Sequence, residues 1–379
     1  MKRKGLVNMV IGFISFLIIL FISTMAFIKT SPQFGSSPSG AHLQKISASG
    51  NFENGIFVNQ IPTSMDMGLG GMLGTIYEFA FKDGDRKPGT PLPVKFDSKA
   101  GELPADLAKV TWYGHSAILI EIDAKQILID PMLGNAASPF SFMTNRFEYQ
   151  KPIDLRDIPQ VDAVVLSHDH YDHLDYRSIL KLKDRVGHFY TPLGVGAHLE
   201  RWGVPAERIT ELDWWESLRL DQIRLIATPA RHFSGRGISD RNKTQWASWV
   251  IEGENEKFYF SGDSGYGPHF KEIGEKYGPF DFAMMECGQY NTKWEAIHMM
   301  PEQTIQASKD IGAKSMMPIH WSAFNLSLHS WIEPAERALK AAESQEVHMV
   351  TPGIGLRFAP GMFHEKNPWW RAVEGNSNK

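Results

Sequence analysis

The stretch Val161–Asp175, VDAVVLSHDHYDHLD, joins an apolar run to a dense group of titratable side chains. The run VDAVVLS has the length of a strand and no polar alternation, which is typical of a strand covered on both faces of a sheet. The six residues from His168 to His173 then include three histidines and two aspartates. We therefore predict a rigid buried strand whose C-terminal loop presents ligands, because open α/β sheets bind ligands at that end of their strands.

Three more titratable side chains follow predicted strands in the same way. His232 follows IRLIATPAR, Asp263 follows KFYFSG, and His320 follows KSMMPI. If these strands are neighbours, their ends bring seven side chains together: His168, His170, Asp172, His173, His232, Asp263 and His320. Imidazole and carboxylate donors without thiolate favour zinc, with manganese or iron as alternatives. The pattern predicts two Zn²⁺ ions about 3.5–4 Å apart that share a hydroxide.

Residues 109–360 alternate β-rich runs with helical patterns, which predicts an α/β domain in two halves. VTWYGHSAILIEI and KQILIDP are predicted strands, joined by a hairpin turn at Asp123-Ala124. The run EVHMVTPGIGLRF is predicted to close the sheet. The predicted helices are DYRSILKLKDR, GPHFKEIGEKYG, PEQTIQASKDIGA and EPAERALKAAESQ.

Composition limits the partners of the chain. The 379 residues include 39 basic and 43 acidic side chains, for a net charge of −4, and no basic run is long enough to follow a phosphate backbone. We therefore expect no nucleic-acid partner. Cys287 is the only cysteine in the sequence, which excludes an intrachain disulfide and a thiolate zinc site.

The N-terminus has the pattern of a membrane anchor. Gly5 to Ile28 carries no charge, and at about 1.5 Å per residue a helix of this length crosses about 30 Å of hydrocarbon. Lys2, Arg3 and Lys4 predict a cytoplasmic N-terminus, a single-pass membrane protein and a catalytic domain on the extracytoplasmic side. The alternative is a cleaved signal peptide, which would make the protein secreted.

The remaining segments are predicted from their composition. Residues 1–28 are the anchor or signal segment, and the Ser/Gly/Pro-rich residues 29–51 are predicted to be a flexible linker. Residues 52–108 are predicted to be an extension that packs on the core, with turns at MGLGGMLG. Residues 109–360 form the predicted α/β domain that carries the candidate ligands, and residues 361–379 form the C-terminal tail.

The motifs also resemble a known family. HDHYDH, with His232, SGDSGY and PIHW at later positions, resembles the metallo-β-lactamase fold superfamily. More narrowly, Val110 to about Ala342 resembles the N-acyl-phosphatidylethanolamine-hydrolysing phospholipase D family through TWYGHSAILIEI, ILIDP, FSGDSGYGPHFKEIGEKYGPFD and IHW. The resemblance implies an αββα four-layer sandwich.

The resemblance also implies roles for individual residues. One metal ion would take His168, His170 and His232, and the other would take Asp172, His173 and His320, with Asp263 between the two. Asp130 would orient a metal-bound histidine, with a plain turn aspartate before Pro131 as the alternative. His115 would act similarly or be an ordinary turn histidine. His298 matches a substrate-side histidine and would join Asp172 and Asp263 as a catalytic residue, unless it only begins a helix.

The implied function is a binuclear metal-dependent phosphodiesterase of phospholipase D type that acts on N-acyl-phosphatidylethanolamine-like lipids. Phe233-Ser234, Glu286 and Gln289 depart from the family pattern and change the expected pocket wall. A lactonase or other carbonyl-ester hydrolase of the same fold therefore remains an alternative. A third reading is a non-catalytic metal-binding protein, although the complete ligand set argues against it.

Overall fold

The structure is a computed structural model that describes residues 2–64, 68–81, 84–95, 103–156, 158–364 and 368–377. Its N-terminal elements are α1 (Lys2–Thr30), α2 (Gly40–Ser47), β1 (Phe52–Glu53), β2 (Ile56–Phe57) and α3 (Leu69–Phe81). Helix α1 is long and apolar enough to cross a membrane, and its apolar window is 0% buried by the rest of the chain.

The first of two large sheets holds the strands around the histidine-rich loop. It contains β3 (Lys109–Trp112), β4 (Ile118–Ile122), β5 (Lys125–Ile129), β6 (Val161–Val165), β7 (Val186–Pro192) and β8 (Ile209–Leu212), adjacent in that order. Strands β3 to β5 pair antiparallel and β5 to β8 pair parallel. Two helices belong to this half: α4 (Tyr176–Leu182) and α5 (Gly196–Arg201).

The second sheet carries the later candidate ligands. Its strands are β9 (Ser217–Leu220), β10 (Ile223–Thr228), β11 (Ser248–Glu252), β12 (Lys257–Phe260), β13 (Phe282–Glu286) and β14 (Met316–Ile319), again adjacent in chain order. The helices of this half are α6 (His269–Tyr277), α7 (Pro301–Asp310) and α8 (Glu333–Ser344). The short strand β15 (Arg357–Phe358) returns to pair with β3, and α9 (Trp369–Ser377) follows it.

Alternating side chains hold the layers together. On β5, Ile127 and Ile129 belong to the buried cluster that contains Val250 of the second sheet, whereas Leu128 belongs to the cluster that contains Ile179 of α4. Helix α7 packs against β13 on the far side of the second sheet, and α8 packs against α7. The order of layers is helix, sheet, sheet, helix, which confirms the predicted αββα sandwich.

Some predicted strand boundaries differ from the structure. VTWYGHSAILIEI forms two strands, because Gly114 and His115 adopt left-handed conformations at φ +87° and +55° and turn the chain. The predicted hairpin at Asp123-Ala124 is confirmed. EVHMVTPGIGLRF contributes isolated bridges at Met349 and Ile354 and the two residues of β15, since proline and glycine interrupt the run.

The glycine-rich segment MGLGGMLG differs from the predicted turns. Its last six residues lie in α3, and Met65 and Met67 lie outside the described residues. Lys293 donates to the Thr75 hydroxyl of α3 at 3.3 Å and pairs with Glu78 at 3.4 Å, so tertiary contacts outweigh the low helix propensity of glycine.

The segment predicted to be a flexible linker, residues 29–51, also differs from the prediction, because it packs on the domain. It contains α2, whose Ile46 is 1% exposed. Trp202 donates its indole N–H to the Pro32 carbonyl at 2.7 Å, and Arg201 donates to the Gly35 carbonyl at 2.5 Å. Gly35 has φ +72°, and a Cβ at this position would lie 1.9 Å from Nδ1 of His198.

The predicted tail, residues 361–379, contains α9. The fully buried Trp370 of this helix packs edge-on against Trp321.

Candidate metal centre

The histidine-rich loop is fastened to the end of the neighbouring strand. Asp130, fully buried just after β5, accepts hydrogen bonds from the Ser167 backbone N–H at 2.7 Å and from its hydroxyl at 2.6 Å. The same carboxylate lies 2.7 Å from Nδ1 of His173. Because β5 and β6 are parallel neighbours, this contact fixes one histidine of the loop from the adjacent strand end. Asp130 therefore lies where it can orient His173.

The seven residues predicted as ligands lie together in two adjoining clusters. Within each cluster the potential donor atoms lie within 4.8 Å of one another. The first cluster, which we call the His168 cluster, comprises His168, His170, His232 and Asp263. The second, the His173 cluster, comprises His115, Asp172, His173 and His320.

Asp263 lies between the two clusters. Its Oδ2 is 3.1 Å from Nε2 of His173, 3.7 Å from Nε2 of His232 and 3.8 Å from Nε2 of His168. Its Oδ1 is 3.1 Å from Nδ1 of His320. One carboxylate thus reaches donors of both clusters, which is the arrangement that a bridging ligand requires.

His115 and His298, for which the sequence left alternative roles open, both lie at this site. His115 is 0% exposed, and its Nε2 is 2.9 Å from Oδ2 of Asp172. His298 lies at the edge of the centre, with its ring 5.0 Å from that of His232. It forms a third potential donor group with Asp263 and His320. Neither histidine is therefore an isolated turn or helix-start residue.

Several supporting residues were not predicted from the sequence. Glu286, at the end of β13, is 0% exposed; its Oε1 lies 2.8 Å from Nδ1 of His298, and its Oε2 accepts from the Met299 backbone N–H. Asn59, in the extension, exchanges two hydrogen bonds with the backbone of His232 at 2.8 and 3.1 Å. The sequence marked Glu286 only as a departure from the family pattern in the expected pocket wall, not as a partner of His298. Nothing local marks Asn59.

Asp169 is a third support that was not predicted, and it lies inside the HDHYDH motif itself. It is 1% exposed and accepts hydrogen bonds from the Thr244 hydroxyl at 2.7 Å and from the Gly235 backbone N–H at 2.8 Å. Its Oδ2 also lies 3.2 Å from Nε2 of His198. The side chain therefore ties the ligand loop of the first sheet to the loop after β10 of the second sheet.

The environment keeps the imidazoles of the site largely neutral. Burial holds the pKa of His168, His232 and His320 well below its usual value, and neighbouring histidines lower it further. Burial likewise lowers the pKa of His170 and of His115 to about 4. Neutral imidazole is the form that binds metal, so these histidines are in the required protonation state at neutral pH.

His173 behaves differently because carboxylates surround it. Burial would lower its pKa, but Asp263, Asp172 and Asp130 together raise it well above the usual value. Burial raises the pKa of Asp263, whereas the contact with His173 helps to hold the pKa of Asp172 well below its usual range against the effect of burial. A proton on His173 therefore offsets the negative charge of the buried carboxylates around it. A metal cation bound between the same carboxylates would offset that charge in the same way.

The donor set fits a bound metal. Nε2 of His173 lies 3.1 Å from Oδ2 of Asp263, and Oδ1 of Asp263 lies 3.1 Å from Nδ1 of His320. Neither contact has the geometry of a hydrogen bond, so Nε2 of His173 and Oδ1 of Asp263 are buried without one among the described residues. Nearly all buried polar groups in proteins are hydrogen-bonded. Asp130 already occupies Nδ1 of His173, so loss of the proton from Nε2 would leave a lone pair directed into the centre. Imidazole and carboxylate donors without cysteine suit Zn²⁺, Mn²⁺ or iron.

Comparison with known proteins places the chain in a family. A family model described as a beta-lactamase superfamily domain matches residues 125–321, which include the seven predicted ligands. The chain is 42% identical over 326 residues to an uncharacterized protein of Mycobacterium tuberculosis, covering 85% of this chain and 87% of that one. It is 33% identical over 250 residues to the N-acyl-phosphatidylethanolamine-hydrolyzing phospholipase D 1 of Caenorhabditis elegans, covering 62% of this chain and 70% of that one.

A solved structure shows the same fold. A metallo hydrolase from the archaeon Ignicoccus hospitalis superposes with a TM-score of 0.51 at 23% sequence identity, covering 66% of this chain and 98% of that one. The likeness covers the sandwich and supports the layer order described above.

Proposed function

The chain belongs to the beta-lactamase superfamily and is a metal-dependent hydrolase, and on that premise we propose that it is a membrane-anchored phosphodiesterase of phospholipase D type. Its proposed substrates are N-acyl-phosphatidylethanolamine-like lipids. One observation carries the proposal: Asp263 lies between two complete histidine and carboxylate clusters. The similarity to the Caenorhabditis elegans phospholipase D supports the substrate class.

We assign the ligands by cluster. His168, His170 and His232 would hold one Zn²⁺ and Asp172, His173 and His320 the other, with Asp263 as the shared ligand. When bound, two such ions supply a nucleophilic hydroxide at neutral pH and neutralise charge on the phosphoryl oxygens. The protein contributes the fixed placement of these donors, because Asp130 and Asp169 hold the ligand loop at both ends.

In the proposed reaction, oxygen from water forms a bond to phosphorus while the bond from phosphorus to the leaving alcohol breaks. The products are a phosphatidic acid and an alcohol, and the leaving oxygen needs a proton. His298 is the proposed proton carrier or hydrogen-bond donor for that oxygen, because its side chain is 12% exposed at the edge of the centre. Glu286 holds Nδ1 of His298, which leaves Nε2 to contact the substrate.

We also propose the segment roles. Helix α1 would act as the anchor, with residues 109–360 as the hydrolase domain on the extracytoplasmic side. The length and exposed apolar surface of α1 support a membrane span, and the basic residues at its start support this orientation.

The test is hydrolysis by the full-length protein, purified in detergent and loaded with zinc. Incubation with N-acyl-phosphatidylethanolamine in mixed micelles should release N-acylethanolamine and phosphatidic acid in equal amounts, as measured by mass spectrometry. An Asp263→Asn variant is the control for contaminating lipases. Turnover of an acyl-lactone panel without release of phosphatidic acid would instead establish the carbonyl-ester alternative.

A further inference from the structure

Two loops beside the end of α1 expose large apolar side chains. Phe142 and Met143, in the loop after β5, are 76% and 48% exposed, and Ile238, in the loop after β10, is 72% exposed. Both loops lie at the edge of the sandwich that holds the candidate metal centre, which we call the metal edge. One loop follows β5 and begins at Asp130, and the other follows β10 and contains His232. Each of the two loops borders α1, so these side chains extend the exposed apolar surface of the helix on both of its sides. An extended apolar surface of this kind marks an interaction site.

The apolar loops are continuous with the end of α1. The ring of Phe27, in the last turn of α1, stacks on Phe140 at 5.8 Å and an angle of 10°. Phe140 in turn contacts Phe142 at 5.6 Å. On the other side, a groove of about 650 Å³ separates Ile238 from Phe21 and other side chains of α1. The exposed residues therefore flank the point where the helix leaves the domain.

The end of α1 is fastened to the domain rather than hinged. Arg201 donates hydrogen bonds to the carbonyls of Lys29, Thr30 and Ser31 at 3.1 to 3.4 Å. Trp202 donates to the next carbonyl, that of Pro32. Arg201 and Trp202 together hold the end of α1 and the residues directly after it against the domain.

The same fastening reaches the metal-ligand loop. Arg236 is 3% exposed, and its guanidinium donates to the Gln33 carbonyl at 2.9 and 3.1 Å. The other side of the guanidinium donates to the carbonyls of Asp169 at 2.5 Å and Leu174 at 2.8 Å, which lie within and just after the HDHYDH motif. Arg236 therefore links the segment just after α1 directly to the loop of the candidate metal centre.

We propose that Phe142, Met143 and Ile238 enter the interfacial region of the bilayer and hold the metal edge of the sandwich against the lipid surface. The inference rests on the proposed anchor. If α1 spans the bilayer, its exposed side chains near Phe21 and Met25 lie in hydrocarbon, and the flanking loops then lie at the boundary with the headgroups. A bilayer is the favoured occupant because the apolar surface borders a helix that itself needs lipid.

The experiment measures the depth of single labels in the full-length protein. Phe142→Cys and Ile238→Cys each receive an NBD fluorophore, and the proteins are reconstituted in phosphatidylcholine vesicles with and without nitroxide-labelled lipid. Cys287 is fully buried, so the unmodified protein reports background labelling. Asn255→Cys is the matched control, because this exposed turn between β11 and β12 lies at the opposite edge of the sheet from Asp263.

We expect the nitroxide lipid to quench most of the emission at positions 142 and 238 and to leave position 255 unchanged. Blue-shifted emission without quenching would mean that a second copy of the chain covers the surface, and it would overturn the proposal. Equal quenching at all three positions, or loss of residues 1–30 from the intact mass, would also overturn it. The readout needs no turnover, so its outcome is separate from that of the proposed hydrolase activity.

Discussion

The loops that carry the candidate metal donors and the segment from residue 29 to residue 51 differ in how far their contacts can be predicted from the sequence. In the donor loops, the side chains themselves carry the chemistry, so His168 and Asp172 are recognisable from residue type and spacing alone. In the N-terminal segment, the contacts are made by backbone carbonyls such as those of Pro32 and Gln33, which every residue has. Their partners, including Arg236, lie about two hundred residues away in sequence. Residue type and spacing therefore predicted that the donor side chains lie together, whereas composition did not predict the packing of the N-terminal segment.

The strongest test of the first region removes the shared ligand. Replacing Asp263 by Asn keeps the size of the side chain but removes the charge that both clusters share. We expect phosphodiesterase activity to fall by at least about 100-fold, since even residues that only support metal ligands account for 10–100-fold. We expect about two ions per chain in the parent protein and fewer in Asp263→Asn, as measured by elemental analysis.

Asp221→Asn is the matched control for this change. Asp221 is 58% exposed in the turn between β9 and β10, with φ +52°, a conformation that asparagine tolerates. Activity and metal content should remain at the parent level. Two tightly held ions and full activity in Asp263→Asn would refute the shared-ligand assignment.

The second prediction separates chemistry from metal binding. His298→Gln should lower kcat by about 100-fold, the lower range for a residue that transfers a proton, with metal content unchanged. Steady-state kinetics and elemental analysis on the same sample measure both quantities. A parallel loss of metal would instead make His298 a ligand, which its proximity to Asp263 and His320 allows.

The third prediction concerns the contact that orients His173. Asp130→Asn removes the carboxylate 2.7 Å from Nδ1 of His173 and should weaken metal binding by about tenfold. Competition with a chromophoric chelator measures the affinity. An unchanged affinity would make Asp130 only a structural support for the Ser167 backbone.

The sequence predicted the sandwich, and it predicted that the seven candidate ligands lie close together, because strand length, apolar runs and donor type are local properties. The supports around the ligands were less visible, because their roles depend on distant partners. Glu286 has a role only because His298 lies beside it, and Asn59 only because the His232 backbone does. The prediction of turns in the glycine-rich segment was wrong for the same reason. The segment lies in helix α3, which is held by Lys293, a residue more than two hundred positions away in the sequence.

The fourth prediction tests whether the N-terminal segment is truly docked. Gly35→Ala would place a Cβ 1.9 Å from His198, whereas Gly40→Ala, also at positive φ, would meet no atom within 4 Å. Gly35→Ala would have to hold φ +72° and ψ −154°, a conformation essentially restricted to glycine that costs about 1–3 kcal/mol, and it adds overpacking of typically 1–3 kcal/mol. Gly40→Ala bears only the strain of a positive φ. Hydrogen exchange over residues 31–47 should increase much more in Gly35→Ala. Equal increases would show that the segment does not depend on this contact.

The smallest expected effect is a pH dependence confined to α2. His42 lies between Glu211, 2.9 Å from its Nδ1, and Glu200, 3.1 Å from its Nε2. The hydrogen bond with Glu211, opposed by partial burial and assisted by Glu200, raises the pKa of His42 from 6.5 to about 9. A pKa raised by folding gives stability that is fully present below about pH 6.5 and is lost as pH rises through about 9. Amide protection over residues 40–47, corrected for intrinsic exchange, should therefore decline across that window. It should be lower and flat in His42→Gln, which keeps a polar side chain but cannot take up the proton. A decline of the same size in both proteins would assign the pH dependence to groups other than His42.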